Sequence, residues 1–169
     1  WTSKGQDDIS DSNGYGIYAQ RYTADGNTTG IEFPVNTGFL NNQQQSSVAM
    51  GADGDFVIAW QSAGQDDPED LLLTFFGIYA QRYTADGIEV GAEFPVNSYT
   101  ADDQTDPSIA MDADGDFVIA WESYDQDTSG FGIFAQRYSA NGNEVAGEFP
   151  VNSTTDFDQS APSIAMDAD

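Results

Sequence analysis

Apolar residues come in short bursts along the chain, and nowhere at helical spacing. In DFVIAW (Asp116–Trp121), Phe117, Ile119 and Trp121 alternate with Val118 and Ala120, so the segment is apolar on both faces. That pattern predicts a central strand covered on each side. GIYAQRY (Gly77–Tyr83) is β-branched and aromatic with polar insertions, which predicts a further strand. SIAM (Ser108–Met111) is small and apolar. EFPVN carries a proline (Pro34, Pro95, Pro150), which cannot donate to a ladder and so belongs at an edge or strand end. DADG, TADG and SANG separate these runs and are strong hairpin-turn signals. The expectation is an all-β chain of four-stranded antiparallel meanders.

The pattern occurs three times. GIYAQRY at Gly16–Tyr22 returns at Gly77–Tyr83 and, as GIFAQRY, at Gly132–Tyr138. EFPVN returns at Glu32, Glu93 and Glu148, and S[VI]AM at Ser47, Ser108 and Ser163. Gly16 to Trp60 is 44 positions, as is Gly77 to Trp121, whereas Trp-to-Gly spacing varies as 15, 17 and 11. A fixed core with one variable loop means equivalent units. Their expected bounds are 1–46 (lacking its GDFVIA strand), 47–107, 108–162 and a truncated start at 163–169.

A meander with a small first strand and a proline-marked last one looks like a β-propeller blade; the alternative is an open solenoid or fibre stack of the same units. The DxDGD turn is similar to the Asp-box of sialidase-like propellers but lacks its serine. Three blades cannot close a ring, which takes at least about four. Joined end to start, only GDFVIA separates the chain from three whole units. The expectation is a window from a longer array, with strand addition from a neighbouring protomer as the other route.

The long unit DGDFVIAW…GIYAQRY…ADG…EFPVN resembles the tandem repeats of large secreted bacterial surface proteins, including cyanobacterial adhesin-type ones, over essentially the whole chain. The resemblance implies an extracellular or cell-surface, often calcium-rich setting, and no activity. Departures are Gly51 for the first Asp of one turn, Asn141 for Asp in another, and Phe134 for Tyr.

Composition narrows the partners. With 29 Asp+Glu against 4 Lys+Arg the net charge is −25, which repels nucleic acid and anionic membranes. No apolar run reaches transmembrane length. Hydrophobic residues at 39% are too many for a disordered acidic tail. There is no cysteine or histidine, so disulfides, thiolate metal sites and His-based catalysis are excluded.

Candidate chemistry is acidic. Asp112, Asp114 and Asp116, with Asp53 and Asp55 in the copy carrying Gly51, have the alternate spacing that lets carboxylates meet one Ca2+. Equally, such aspartates cap their own turn amides. A second acidic pair recurs in the variable loop, as Asp66–Asp67 and as Asp125 with Asp127, each beside a glutamine. It either ties the loop to its unit or holds Ca2+ between units. The arginines Arg21, Arg82 and Arg137 stand one per unit, so they are expected to pair with a local carboxylate rather than converge as a sialidase triad. The irregular insert places Leu71, Leu72, Leu73, Phe75 and Phe76 in the longest loop, an expected interface. Asn27 and Asn152 match the N-glycosylation pattern.

These features predict a non-enzymatic, extracellular structural or adhesive repeat that associates with copies of itself or neighbouring repeats, stiffened by Ca2+. The alternative is a carbohydrate-binding module using Trp60, Trp121 and the tyrosines as stacking platforms for glycans.

Overall fold

The computed structural model describes residues 1–6, 14–37, 41–65 and 75–167. Among them there is no helix, hence none long and apolar enough to cross a membrane. Three antiparallel sheets follow one another along the chain. The first contains β1 (Thr2–Lys4), β2 (Tyr15–Tyr22) and β3 (Thr28–Pro34). The second contains β4 (Gln43–Met50), β5 (Phe56–Ala63), β6 (Phe76–Tyr83) and β7 (Phe94–Pro95). The third contains β8 (Gln104–Met111), β9 (Phe117–Tyr124), β10 (Phe131–Tyr138) and β11 (Glu144–Pro150). Each is a meander in chain order, with DFVIAW in an inner strand and the proline-bearing strand at an edge.

Local chemistry explains the meander. The β4–β5 and β8–β9 turns place Gly54 and Gly115 at φ 91° and 88°, the left-handed region glycine enters without strain. The third and fourth strands are not in simple register; the pairing shifts between Ala19 and Arg21, and again between Ala135 and Arg137. The glutamine at the shift closes it: Gln136 Nε2 donates to Arg137 O (2.9 Å) and Ala146 O (3.3 Å). Gln20 and Gln81 repeat this arrangement. The glutamine of AQRY therefore satisfies carbonyls that the bulge takes out of the ladder.

A second irregularity lengthens the first strand. β4 and β8 begin four residues before SVAM and SIAM, and each contains a left-handed residue, Gln45 (φ 54°) or Asp106 (φ 52°), at a register shift. Ala161 (φ 58°) has the same conformation at the equivalent position.

The asparagine ending EFPVN locks each unit to the next connection. Ile78 N donates to Asn97 Oδ1 (2.6 Å), while Asn97 Nδ2 donates to Tyr99 O (2.9 Å) and Gln104 Oε1 (3.1 Å). Ile17 with Asn36 and Gln43, and Ile133 with Asn152 and Gln159, repeat it.

The core lies between sheets rather than within one. Ile17, Val35, Phe56, Ile58, Trp60, Tyr79 and Tyr83 join the first sheet to the second. Val57, Ala59, Ile78, Val96, Ile109, Phe117, Ile119, Trp121 and Tyr138 join the second to the third. Trp60 and Trp121 are 0% exposed, with indole N–H groups that have no hydrogen-bond partner, so packing alone holds them. At each junction the final tyrosine of GIYAQRY stacks on the phenylalanine of DFVIAW: Tyr83 on Phe56 (centroids 4.9 Å) and Tyr138 on Phe117 (4.8 Å). A phenylalanine of the preceding unit meets the same tyrosine, Phe33 at 5.5 Å from Tyr83 and Phe94 at 5.5 Å from Tyr138.

Replacing Asn97 strands a buried backbone donor and half of Gln104. Asn97→Ala is therefore expected to lower unfolding free energy by about 2–3 kcal/mol in a urea titration. Ser98→Ala, at an exposed neighbour, should cost well under half as much.

Candidate functional site

The region where sequence, charge and geometry converge is the junction between units, which occurs twice. At the second sheet, Ser62 Oγ donates to Gln65 Oε1 (2.7 Å), and Gln65 Nε2 donates to Glu93 Oε1. Glu93 then reaches into the preceding unit, accepting from Thr37 N at Oε2 (2.8 Å). The third sheet repeats the chain. Ser123 Oγ donates to Gln126 Oε1 (2.7 Å), Gln126 Nε2 donates to Glu148 Oε1, and Glu148 Oε2 accepts from Ser98 N (2.7 Å) and Ser98 Oγ (3.0 Å). One glutamate thus ties its own variable loop to its neighbour's backbone.

Arginine bridges the junction in the other direction. Arg21 donates to Ala85 O, and Arg82 to Asn141 O, each in the hairpin turn of the following unit. The guanidinium lies against the turn glycine. A Cβ on Gly87 would stand 2.9 Å from Arg21 Nε, and one on Gly142 would stand 2.1 Å from Arg82 Nη1. Both glycines also have positive φ, 78° and 79°, so close approach and turn geometry select the same residue. The expected local Asp or Glu partner is replaced here by a neighbour's carbonyl. Arg137 lies with its guanidinium 6.0 Å from the Phe149 ring and is exposed.

The first strands complete the contact. Gln45 Nε2 donates to Asp106 Oδ1 (2.7 Å), and the N–H of Asp106, freed by the bulge, donates to Gln61 Oε1 (3.0 Å). At the next step the acceptor is Glu122, whose Oε1 takes the N–H of Ala161 (2.6 Å).

The candidate Ca2+ ligands in the turns face backbone. Asp112 Oδ1 accepts from Asp114 N (3.0 Å) and Asp116 N (2.9 Å), and Asp53 Oδ1 from Asp55 N (3.0 Å). Asp55 and Asp116 tie the first turn of a unit to its second, accepting from Ala85 N and Ala140 N, both at 2.8 Å. Asp114 is exposed. Among the described residues, no three Asp or Glu side chains converge as a metal site needs. In the variable loop Asp125 is a left-handed turn residue (φ 57°). Asp127 folds over Gly132, where a Cβ would stand 2.6 Å from its Oδ2. Asp66, Asp67, Leu71, Leu72 and Leu73 lie outside the described residues.

Phe75 and Phe76 are half-buried, and Phe76 opens β6 with its N–H on Asp103 Oδ1 (3.0 Å). Asn27 is exposed in the β2–β3 turn. Asn152 uses its side-chain nitrogen on Thr154 O (2.7 Å) and Gln159 Oε1 (2.9 Å), so a glycan there would break both bonds. Burial removes Trp60 and Trp121 from any role as glycan platforms.

Sequence reasoning passed over the bridging glutamate, although its recurrence before Phe-Pro in all three units was the available signal.

Between the first strands lies an open depression of about 450 Å3, lined by Gln45, Asp106, Pro107, Glu122 and Ala161. Glu122 occupies the position of Gln61 in the preceding unit and is 8% exposed. Burial pushes its carboxyl above the ordinary glutamate range; the Ala161 N–H opposes the shift, and Asp106 and Asp158 add to it. A raised folded value gives stability that is complete below the unfolded value, about 4.3, and is lost as pH climbs through the folded one. Glu122→Gln should therefore be more stable than the parent at pH 7. The difference should shrink towards pH 4, as read from urea midpoints at both pH values. No protein-family model matches the chain, and no curated protein is significantly similar to it.

Proposed function

We propose that the chain is a structural or adhesive repeat module of extracellular type, whose propeller-like blades associate unit against unit in a longer array or filament. One observation carries this reading: the two junctions are built from the same contacts, and the outer faces bear the unmatched halves of a third. Tyr22 is 62% exposed where Tyr83 and Tyr138 are 2%. A Cβ on Gly26 would meet nothing within 4 Å, whereas its counterparts lie under an arginine. On the opposite face, Val151 is 55% exposed against 1% for Val35 and 3% for Val96, beside exposed Phe149 and Arg137. Phe149 and Arg137 fit a partner's Tyr22 and its 23–26 turn as Phe94 and Arg82 fit Tyr138 and the 139–142 turn. Such a face-to-back pairing of unlike surfaces is heterologous and continues from copy to copy.

The role is one of assembly and attachment rather than catalysis. The partners are further copies or neighbouring repeats; no observation favours glycans. Net charge of −25 opposes association, so cations, Ca2+ among them, promote it by screening or by binding turn carboxylates.

Sedimentation over a range of concentrations tests this. Association should grow with protein concentration and ionic strength, and weaken in Arg137→Ala and in Tyr22→Ala. A monodisperse monomer throughout would sink the reading. Melting with Ca2+ against the same ionic strength of Na+ reads the calcium part separately: a higher midpoint in Ca2+ means bound ions, and equal midpoints mean screening alone.

A further inference from the structure

Along β2 the strand pairing stops partway. Trp1 and Tyr18 exchange hydrogen bonds, Trp1 N to Tyr18 O (2.8 Å) and Tyr18 N to Trp1 O (2.9 Å). Beyond them Ala19, Gln20, Arg21 and Tyr22 pair with β3 on one side only, among the described residues. Hydrogen-bonded and non-hydrogen-bonded pairs alternate in an antiparallel ladder. The Trp1–Tyr18 exchange therefore turns the N–H and C=O of Gln20 and Tyr22 towards the open side.

That edge borders a groove of about 750 Å3 whose walls include Trp1, Tyr22, Val48, Met50, Phe56 and Ile58. The walls are apolar side chains whose counterparts elsewhere are covered. Trp1 is 49% exposed against 0% for Trp60 and Trp121, Tyr22 62% against 2% for Tyr83 and Tyr138, and Val48 61% against 7% for Ile109. In the complete units, what covers these positions includes the DFVIA strand. It pairs Phe56 with Tyr83, Val57 with Arg82, Ile58 with Gln81 and Ala59 with Ala80. The third unit keeps this register with Phe117 to Ala120 against Tyr138 to Ala135.

We infer that the groove is an acceptor site for one extended strand of the pattern Asp-Phe-Val-Ile-Ala, bound by β-strand addition. The strand enters antiparallel to β2, with its Phe opposite Tyr22 and stacked on that ring, as Phe56 is on Tyr83. Its Val and Ala turn towards Val48, the side on which Val57 and Ala59 meet Ile109. Its Phe and Ile exchange backbone hydrogen bonds with Tyr22 and Gln20. The recognition is of backbone edge plus alternate small and large apolar side chains, so a soluble metabolite or a glycan does not meet it. The site requires no second copy, which separates it from the association of units proposed above.

The test uses the whole 169-residue chain at a dilution where it sediments as a monomer, with the synthetic peptide Gly-Asp-Phe-Val-Ile-Ala. The expected result is saturable binding, slower hydrogen exchange at the Gln20 and Tyr22 amides, and a blue shift of Trp1 fluorescence read in a Trp60→Phe, Trp121→Phe background. If that background does not fold, hydrogen exchange in the parent protein suffices. A peptide with proline in place of isoleucine loses one ladder bond and should bind at least about tenfold more weakly. Tyr22→Ala should also weaken binding while leaving the exchange of β9 amides unchanged. Equal binding of the two peptides, or no protection of Gln20 and Tyr22 at saturating peptide, overturns the proposal. So does prior protection of those amides in the dilute protein without peptide. Failure here with association intact would remove only the acceptor site.

Discussion

Two-sided apolarity of the inner strand is the constraint from which the rest follows. A meander whose DFVIAW strand is apolar on alternate residues in both directions cannot satisfy itself, because one sheet has only one face to give a single neighbour. Phe56, Ile58 and Trp60 look towards one sheet while Val57 and Ala59 look towards another. Burying a side chain of that size stabilises by roughly 1.5–3 kcal/mol, so each junction gathers far more from packing than from any polar contact across it. Stability therefore lies in the junctions, and an outer unit is short of whatever junction it does not make.

The polar contacts across the junction serve a different purpose. Flat apolar faces slide, and rotation of one sheet over another changes buried area little. The Glu93–Thr37 and Glu148–Ser98 bonds, with the arginines over Gly87 and Gly142, fix one rotation and one offset. Each is worth about 1–3 kcal/mol at most, enough to choose among packings of similar area. Acidic and basic groups are unequally placed in this scheme. The few arginines spend their donors on carbonyls, and many aspartates accept backbone N–H groups in turns, which lets a chain of net charge −25 fold without pairing each carboxylate with a cation.

Much of the fold was legible because its signals are local. Alternation in DFVIAW, the proline of EFPVN and the Asp-Gly turns each act within a few residues, and their repetition fixed the number of units. The bulges were not legible. Gln45, Asp106 and Ala161 share a left-handed conformation that their side chains do not announce, since glutamine and alanine have no preference for it. The site was half legible for the same reason. Gln126 and Glu148 are 22 residues apart and meet only because β9, β10 and β11 fold back on one another. Aspartates at alternate positions suggest ion binding by spacing alone, yet Asp112 and Asp116 turn to amides that the hairpin itself presents.

Repetition also decides what kind of assembly the contacts can build. The first junction and the second use the same residue types in the same roles: Arg21 and Arg82, Glu93 and Glu148, Phe33 and Phe94. One operation therefore relates each unit to the next, and applying it again gives either a closed ring or an open helix. The variable loop does not enter that operation, because the glutamine anchors its start to Glu93 or Glu148 whatever length follows. Loop length can change from unit to unit while the angle between units stays fixed. A chain built this way keeps its geometry in the junction and leaves the loop free to differ, which separates what holds the array together from what it presents to its surroundings.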